Sequence, residues 1–192
     1  MRKALLVIAL FALLALPMTA HAFIGGTAVY SGINGFSATV AWAVYNPGEA
    51  SYLPSVAPDY AYFYVITNTS ATPSPVGTNG IWTFSIGTGG APITGIGSLG
   101  LTGGIGPTYF GVDPSGVSAL FVTPYIAPGG GFSNRLYLTS LNPPRNSPGG
   151  LLAYGGATDT ETIKGPGVIP EPASMLLLGM GILGLFGIRR KV

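Results

Sequence analysis

The stretch Thr39-Val-Ala-Trp-Ala-Val-Tyr45 alternates strictly, with Val40, Trp42 and Val44 on one side and small or amphipathic residues on the other, and Asn46-Pro47-Gly48 stops it. A period of two closed by a turn tripeptide is the pattern of a half-buried β-strand. The next run, Tyr60-Ala-Tyr-Phe-Tyr-Val-Ile-Thr67, places Tyr60, Tyr62, Tyr64 and Ile66 on one face and Ala61, Phe63 and Val65 on the other. Both faces are substantially apolar, which predicts a central strand.

Outward from this pair, strands are expected at Ile81 to Ile86, Ala119 to Tyr125, Arg135 to Ser140 and Leu151 to Tyr154, with a weaker one at Thr158 to Lys164. Gly, Pro and Asn separate them, and no part of the body sustains a 3.6-residue apolar repeat. The expected fold is all-β, an antiparallel β-sandwich of about 6–8 strands with Gly-rich loops. Gly87 to Pro107 alternates apolar residues with glycines and carries no charge. It reads either as a long surface loop or as irregular edge strands, and its lack of charge makes it a candidate self-association surface.

The ends of the chain differ from the body. Met1-Arg2-Lys3 is a basic start, Ala4 to Leu16 is apolar, and Ala20-His21-Ala22 is a small-residue cleavage site. Residues 1–22 therefore read as a secretory signal helix cut after Ala22, with Ala20 and Ala22 as the cleavage-site residues. Residues 23–165 form the β-sandwich body, and residues 166–192 close the chain. That last segment runs Pro170-Glu171-Pro172, then an uncharged stretch from Ala173 to Ile188, then Arg189-Arg190-Lys191. The prolines disfavour helix and leave an extended entry. The apolar stretch would rise about 24 Å as a transmembrane helix, short against a hydrocarbon core of about 30 Å. Arg189, Arg190 and Lys191 act as the stop and stay cytoplasmic, so the body lies across the membrane. Gly179, Gly181, Gly184 and Gly187 contain no Gly-x-x-x-Gly pair, which argues against helix dimerisation.

This tail resembles the PEP-CTERM sorting signal of Gram-negative bacteria, whose pattern is Pro-Glu-Pro, a short Gly- and Leu-rich apolar segment and a basic end. The resemblance implies that Pro170, Glu171 and Pro172 are recognised by an exosortase, a membrane-embedded cysteine transpeptidase that cuts near the motif and releases or re-attaches the body. It also implies a bacterium that makes exopolysaccharide, with a role in biofilm or envelope.

Five of the eight basic residues belong to the two terminal signals. Between Phe23 and Pro170 there remain Arg135, Arg145 and Lys164 against Glu49, Asp59, Asp113, Asp159 and Glu161, a net charge of −2. The basic balance of the whole chain thus comes from targeting, and no nucleic-acid partner is expected. Cysteine is absent and the one histidine, His21, lies in the signal segment. Ser-His-Asp and Cys-His pairs, imidazole-bound zinc and thiolate-held metals are therefore excluded from the body. No catalytic residue, cofactor or metal site is expected.

Two weaker readings rest on particular residues. If their segment is extended, Asp159 and Glu161 share a strand face with Cα atoms about 6.6 Å apart, a candidate pair for a carboxylate-only glycoside hydrolase, and Asp159, Glu161 or Asp113 could supply an oxygen to calcium, although no dense Asp/Asn/Gly loop accompanies them. Tyr60, Tyr62 and Tyr64 would form a sugar-stacking platform if their face were exposed, and core packing is the competing role. Gly95-Ile-Gly-Ser-Leu-Gly100 matches G-x-G-x-x-G only formally, without the strand and helix that a dinucleotide site needs. Asn68-Thr-Ser70 is an N-glycosylation sequon, read here as a turn. The expected function is a non-enzymatic exported surface or matrix protein whose partners are the secretion machinery, an exosortase, the membrane through a transient anchor, and exopolysaccharide. The alternative is a secreted carbohydrate-binding module.

Overall fold

The computed structural model describes residues 24–49, 59–71, 80–153 and 157–168. The signal segment with Ala20 and Ala22, the motif Pro170, Glu171 and Pro172, the apolar span, and Arg189, Arg190 and Lys191 lie outside the described residues. No helix among the described residues is long and apolar enough to cross a membrane.

The described residues form ten strands: β1 (Ile24–Ser31), β2 (Ser37–Tyr45), β3 (Tyr60–Asn68), β4 (Ile81–Gly87), β5 (Gly95–Leu99), β6 (Tyr109–Asp113), β7 (Gly116–Leu120), β8 (Arg135–Ser140), β9 (Pro144–Ala153) and β10 (Thr158–Pro166). They make two five-stranded antiparallel sheets, ordered β1-β2-β3-β8-β5 and β10-β9-β4-β7-β6. The sandwich is as expected, and β3 is central. The strand count exceeds the expected 6–8, because the Gly-rich segments contribute more than loops. Gly87 to Pro107 contains an edge strand, β5, which pairs with β8 from Gly95↔Thr139 to Leu99↔Arg135.

Two boundaries differ from expectation for physical reasons. The strand expected at 119–125 is instead β7, ending at Leu120 where its pairing with β4 ends. The strand expected at 151–154 begins at Pro144, although prolines lack the N–H that a paired strand needs. Strand β4 pairs with β9 only between Gly149 and Ala153, so the proline-bearing half has β10 as its single neighbour.

The alternation seen in the sequence becomes the core. Val40 and Val44 of β2, Tyr62, Tyr64 and Ile66 of β3 and Leu138 of β8 face Phe84, Ile86, Ala119, Leu151 and Ile163 of the opposite sheet. Each large apolar side chain so buried contributes on the order of 2 kcal/mol. Tyr64 and Phe84 meet across the layers with ring centroids 5.3 Å apart. Trp42 points the same way near the sheet edge, where it lies over Gly26 on β1. A Cβ at Gly26 would come within 2.6 Å of the indole, so only glycine leaves room for it.

Burying tyrosines obliges their hydroxyls to find partners. Tyr62 donates to the Asn142 carbonyl and Tyr64 to the Lys164 carbonyl, both at 2.7 Å, and the second bond ties the two sheets together. Tyr30 Oη is buried with no partner among the described residues. Asn68 closes β3 from inside: its Nδ2 donates to the Ile126 carbonyl at 3.0 Å and its Oδ1 accepts the Ser70 N–H at 3.1 Å. A fully buried Asn68 cannot accept a glycan in the folded body, so the sequon reads as a structural turn.

Two outcomes follow. Asn68→Ala removes both bonds and strands the Ser70 N–H, and should lower the unfolding free energy by about 2 kcal/mol in chemical denaturation. Burial raises the pKa values of Tyr30, Tyr62 and Tyr64 above the ordinary 10.0. The folded state then holds these protons more tightly than the unfolded one, so this stabilisation is complete below pH 10 and lost as pH rises above it. The denaturation midpoint should fall above pH 10, and the double variant Tyr62→Phe/Tyr64→Phe should flatten that fall.

Candidate functional site

The sugar-stacking face expected from Tyr60, Tyr62 and Tyr64 is turned inward. Tyr62 is 0% and Tyr64 2% exposed, and only Tyr60 is half-buried. The platform is therefore corrected to a core role. The reason lies in the pairing: Tyr62 sits opposite Val44 and Leu138, and Tyr64 opposite Trp42 and Leu136, so one set of alternating positions on three adjacent strands forms the interior.

The other set forms the outer face of the same sheet, and it too is aromatic. Pairing aligns Ala43, Phe63, Tyr137 and Gly97 in one row across β2, β3, β8 and β5, with Tyr45 and Ala61 in the next. Phe63 packs between two tyrosines. Its ring centroid is 5.4 Å from Tyr45, edge to face at 88°, and 6.3 Å from Tyr137 at a 45° tilt. Phe63 is almost fully covered, whereas Tyr45 and Tyr137 are half-buried. Tyr137 lies flat across β5 because position 97 is glycine; a Cβ there would stand 2.6 Å from the phenol oxygen.

A shallow depression of about 190 Å³ opens here, lined by Ala41, Trp42, Ala43, Tyr45, Phe63, Tyr64, Val65 and Arg135, with Tyr137 next to it on the far side of Phe63. Arg135 begins β8 opposite Leu99. The body has three cations. Arg145 donates to the Val168 carbonyl at 3.5 Å and Lys164 to Asn146 Oδ1 at 2.7 Å. The Arg135 side chain makes no hydrogen bond or ion pair among the described residues. At the other end of β8, Thr94 Oγ1 donates to the buried Asp59 carboxylate and meets Thr139 Oγ1 at 2.9 Å.

Sequence reasoning missed Tyr45, Phe63, Tyr137 and Arg135 as a group. Phe63 was legible as a member of the face opposite the tyrosines, but Tyr137 lies 74 positions further on and joins it only through the β3–β8 pairing.

The carboxylates of the expected hydrolase or calcium site have structural partners. Asp159 accepts the Ser31 N–H at 2.6 Å and the Thr160 N–H at 2.8 Å, which ties β10 to β1 across the open edge of the sandwich. Glu161 is exposed on the same strand. Asp113 is remote from both, in the β6–β7 turn, where its Oδ1 accepts the Ser115 N–H, the Ser115 hydroxyl and the Gly116 N–H. Among the described residues no three His, Cys, Asp or Glu side chains are grouped as a metal site. The hydrogen bonds from Ser115 and Gly116 hold the Asp113 carboxyl below its ordinary pKa of 3.8. A depressed carboxylate stabilises the fold above its unfolded pKa and loses that contribution as pH falls through the folded one. Asp113→Ala should accordingly lower the denaturation midpoint at pH 7, and the gap to the parent chain should close in strong acid.

No curated protein and no solved structure matches the chain. Residues 168–191 match the family model of the PEP-CTERM protein-sorting motif, which implies an exported precursor, anchored by its tail and sorted to the cell surface by an exosortase.

Proposed function

We propose that this chain is a non-enzymatic component of the cell surface or extracellular matrix, associated with exopolysaccharide, whose β-sandwich is the delivered part. The sorting motif at residues 168–191 is the observation that carries this reading. Export explains why the basic residues gather at the two ends while the body is mildly acidic. The absence of His and Cys from the body supports a non-enzymatic role, as does the engagement of Asp59, Asp113 and Asp159 in hydrogen bonds that hold turns and edges. A carboxylate-only hydrolase through Asp159 and Glu161 receives the least support, because both Asp159 oxygens already accept backbone N–H groups.

A second reading, a carbohydrate-binding module, is favoured by a different face from the one first expected. The aromatic cluster of Tyr45, Phe63 and Tyr137 lies outside the core on the outer sheet face.

Processing is tested by the intact mass of the protein recovered from the surface or medium of the producing host, with and without its exosortase. A chain beginning at Phe23 and ending near Pro170, seen only with the exosortase, is the expected result. Retention of Arg189 to Val192 in both hosts would mean a plain membrane anchor.

A further inference from the structure

We infer that the outer face of the β1-β2-β3-β8-β5 sheet is a binding site for an acidic polysaccharide, with Tyr45 and Tyr137 stacking on sugar rings and Arg135 pairing with a sugar carboxylate. This deepens the surface-protein reading above and names the ligand of its body.

Three observations carry it. The first is the paired half-buried tyrosines on either side of Phe63. Strands β2 and β8 flank β3, so the strands that carry the two tyrosines lie about 10 Å apart across the sheet, with Phe63 between the rings and in contact with both. Aromatic faces supported from below lose little conformational freedom when a flat apolar ligand settles on them. The second is the state of Arg135. It borders the same depression, about 7 Å along β8 from Tyr137, and is the one body cation with no oxygen partner among the described residues. A planar guanidinium left open beside an apolar floor is matched by a carboxylate, which it can hold through two parallel hydrogen bonds. The third is size. The depression, about 190 Å³, is smaller than the roughly 300–1,000 Å³ that encloses a drug-sized molecule, which suits one sugar unit of a chain that runs on across the face.

The charge distribution gives the ligand a direction. Asp59 lies at the opposite end of the face, about 13 Å along β8 from Arg135, where Thr94 and Thr139 engage it. A uronic acid unit thus places its carboxylate at the Arg135 end and its hydroxyl-bearing edge toward the threonines. Because the body carries a net charge of −2, it has no general attraction for polyanions, and binding to one depends on this local arrangement.

The test uses the protein recovered from the producing host and two immobilised probes, polygalacturonate and the neutral glucan dextran, in salt of about 0.15 M. Retention on polygalacturonate and passage through dextran is the expected result. Arg135→Gln should weaken the retention roughly tenfold, the scale of one charge-assisted contact. Tyr137→Ala should weaken it similarly, and Tyr62→Phe, which alters only the core, should leave it unchanged. Arg135→Gln keeps the length of the half-buried stem and removes the charge, so this variant reports on binding even if Tyr137→Ala unfolds. Equal retention on both probes, no retention on polygalacturonate, or unchanged retention of Arg135→Gln would overturn the assignment. Failure of sorting appears separately, as an uncut mass in a chain that still binds.

Discussion

The structure depends on burying Tyr62 and Tyr64 between two sheets without stranding their hydroxyls. Tyr62 and Tyr64 are central in β3, and each supplies a large apolar ring together with one obligatory donor. Both donors reach backbone carbonyls, one beyond the end of β8 and one on β10 of the opposite sheet. Without cysteine the body has no covalent ties, and these bonds, with the Asn68 staple, fix how one sheet sits over the other. The layers can close only in the register that satisfies them. Replacing an unpaired buried hydroxyl with a paired one is worth more than the modest net gain of an ordinary hydrogen bond.

Once that register is set, the outer face follows. A strand cannot turn its tyrosines inward without turning Ala61, Phe63 and Val65 outward, because successive side chains alternate. Strands β2 and β8 obey the same rule, so Tyr45 and Tyr137 arrive beside Phe63 as a consequence of packing Val44 and Leu138. Core and candidate site are two sides of one sheet. Gly97 completes the arrangement by letting Tyr137 lie down across the edge strand.

Charge separates the chain into parts with different tasks. The terminal segments hold most of the cations, and the body holds three cations and five anions. With so few charges, nearly every one has a structural partner: Asp113 in a turn, Asp159 across an edge, Asp59 among threonines, Lys164 and Arg145 on neighbouring oxygens. Arg135 stands out against this economy because it borders an aromatic depression instead.

Local pattern was enough for the C-terminal sorting motif and for the all-β class. A sorting motif is read by order along the chain, and alternation with turn residues is a property of seven or eight consecutive positions, so Thr39 to Tyr45 and Tyr60 to Thr67 declared their strands unaided. Strands such as β1, β5 and β6 were less legible, since glycine-rich edges form only when a neighbour offers its hydrogen bonds. Which face of β3 became the interior was not decided by β3 itself, as both of its faces are apolar. That choice came from strands distant in sequence, whose pairing placed Leu136 and Leu138 on the tyrosine side and Tyr137 on the other. The sequence by itself determined that the chain carries a sorting signal and that it folds as β-sheet; only tertiary pairing decided which aromatic residues face the opposite sheet and which lie on the outer face, because side-chain direction in a sheet is set jointly by strands far apart in the chain.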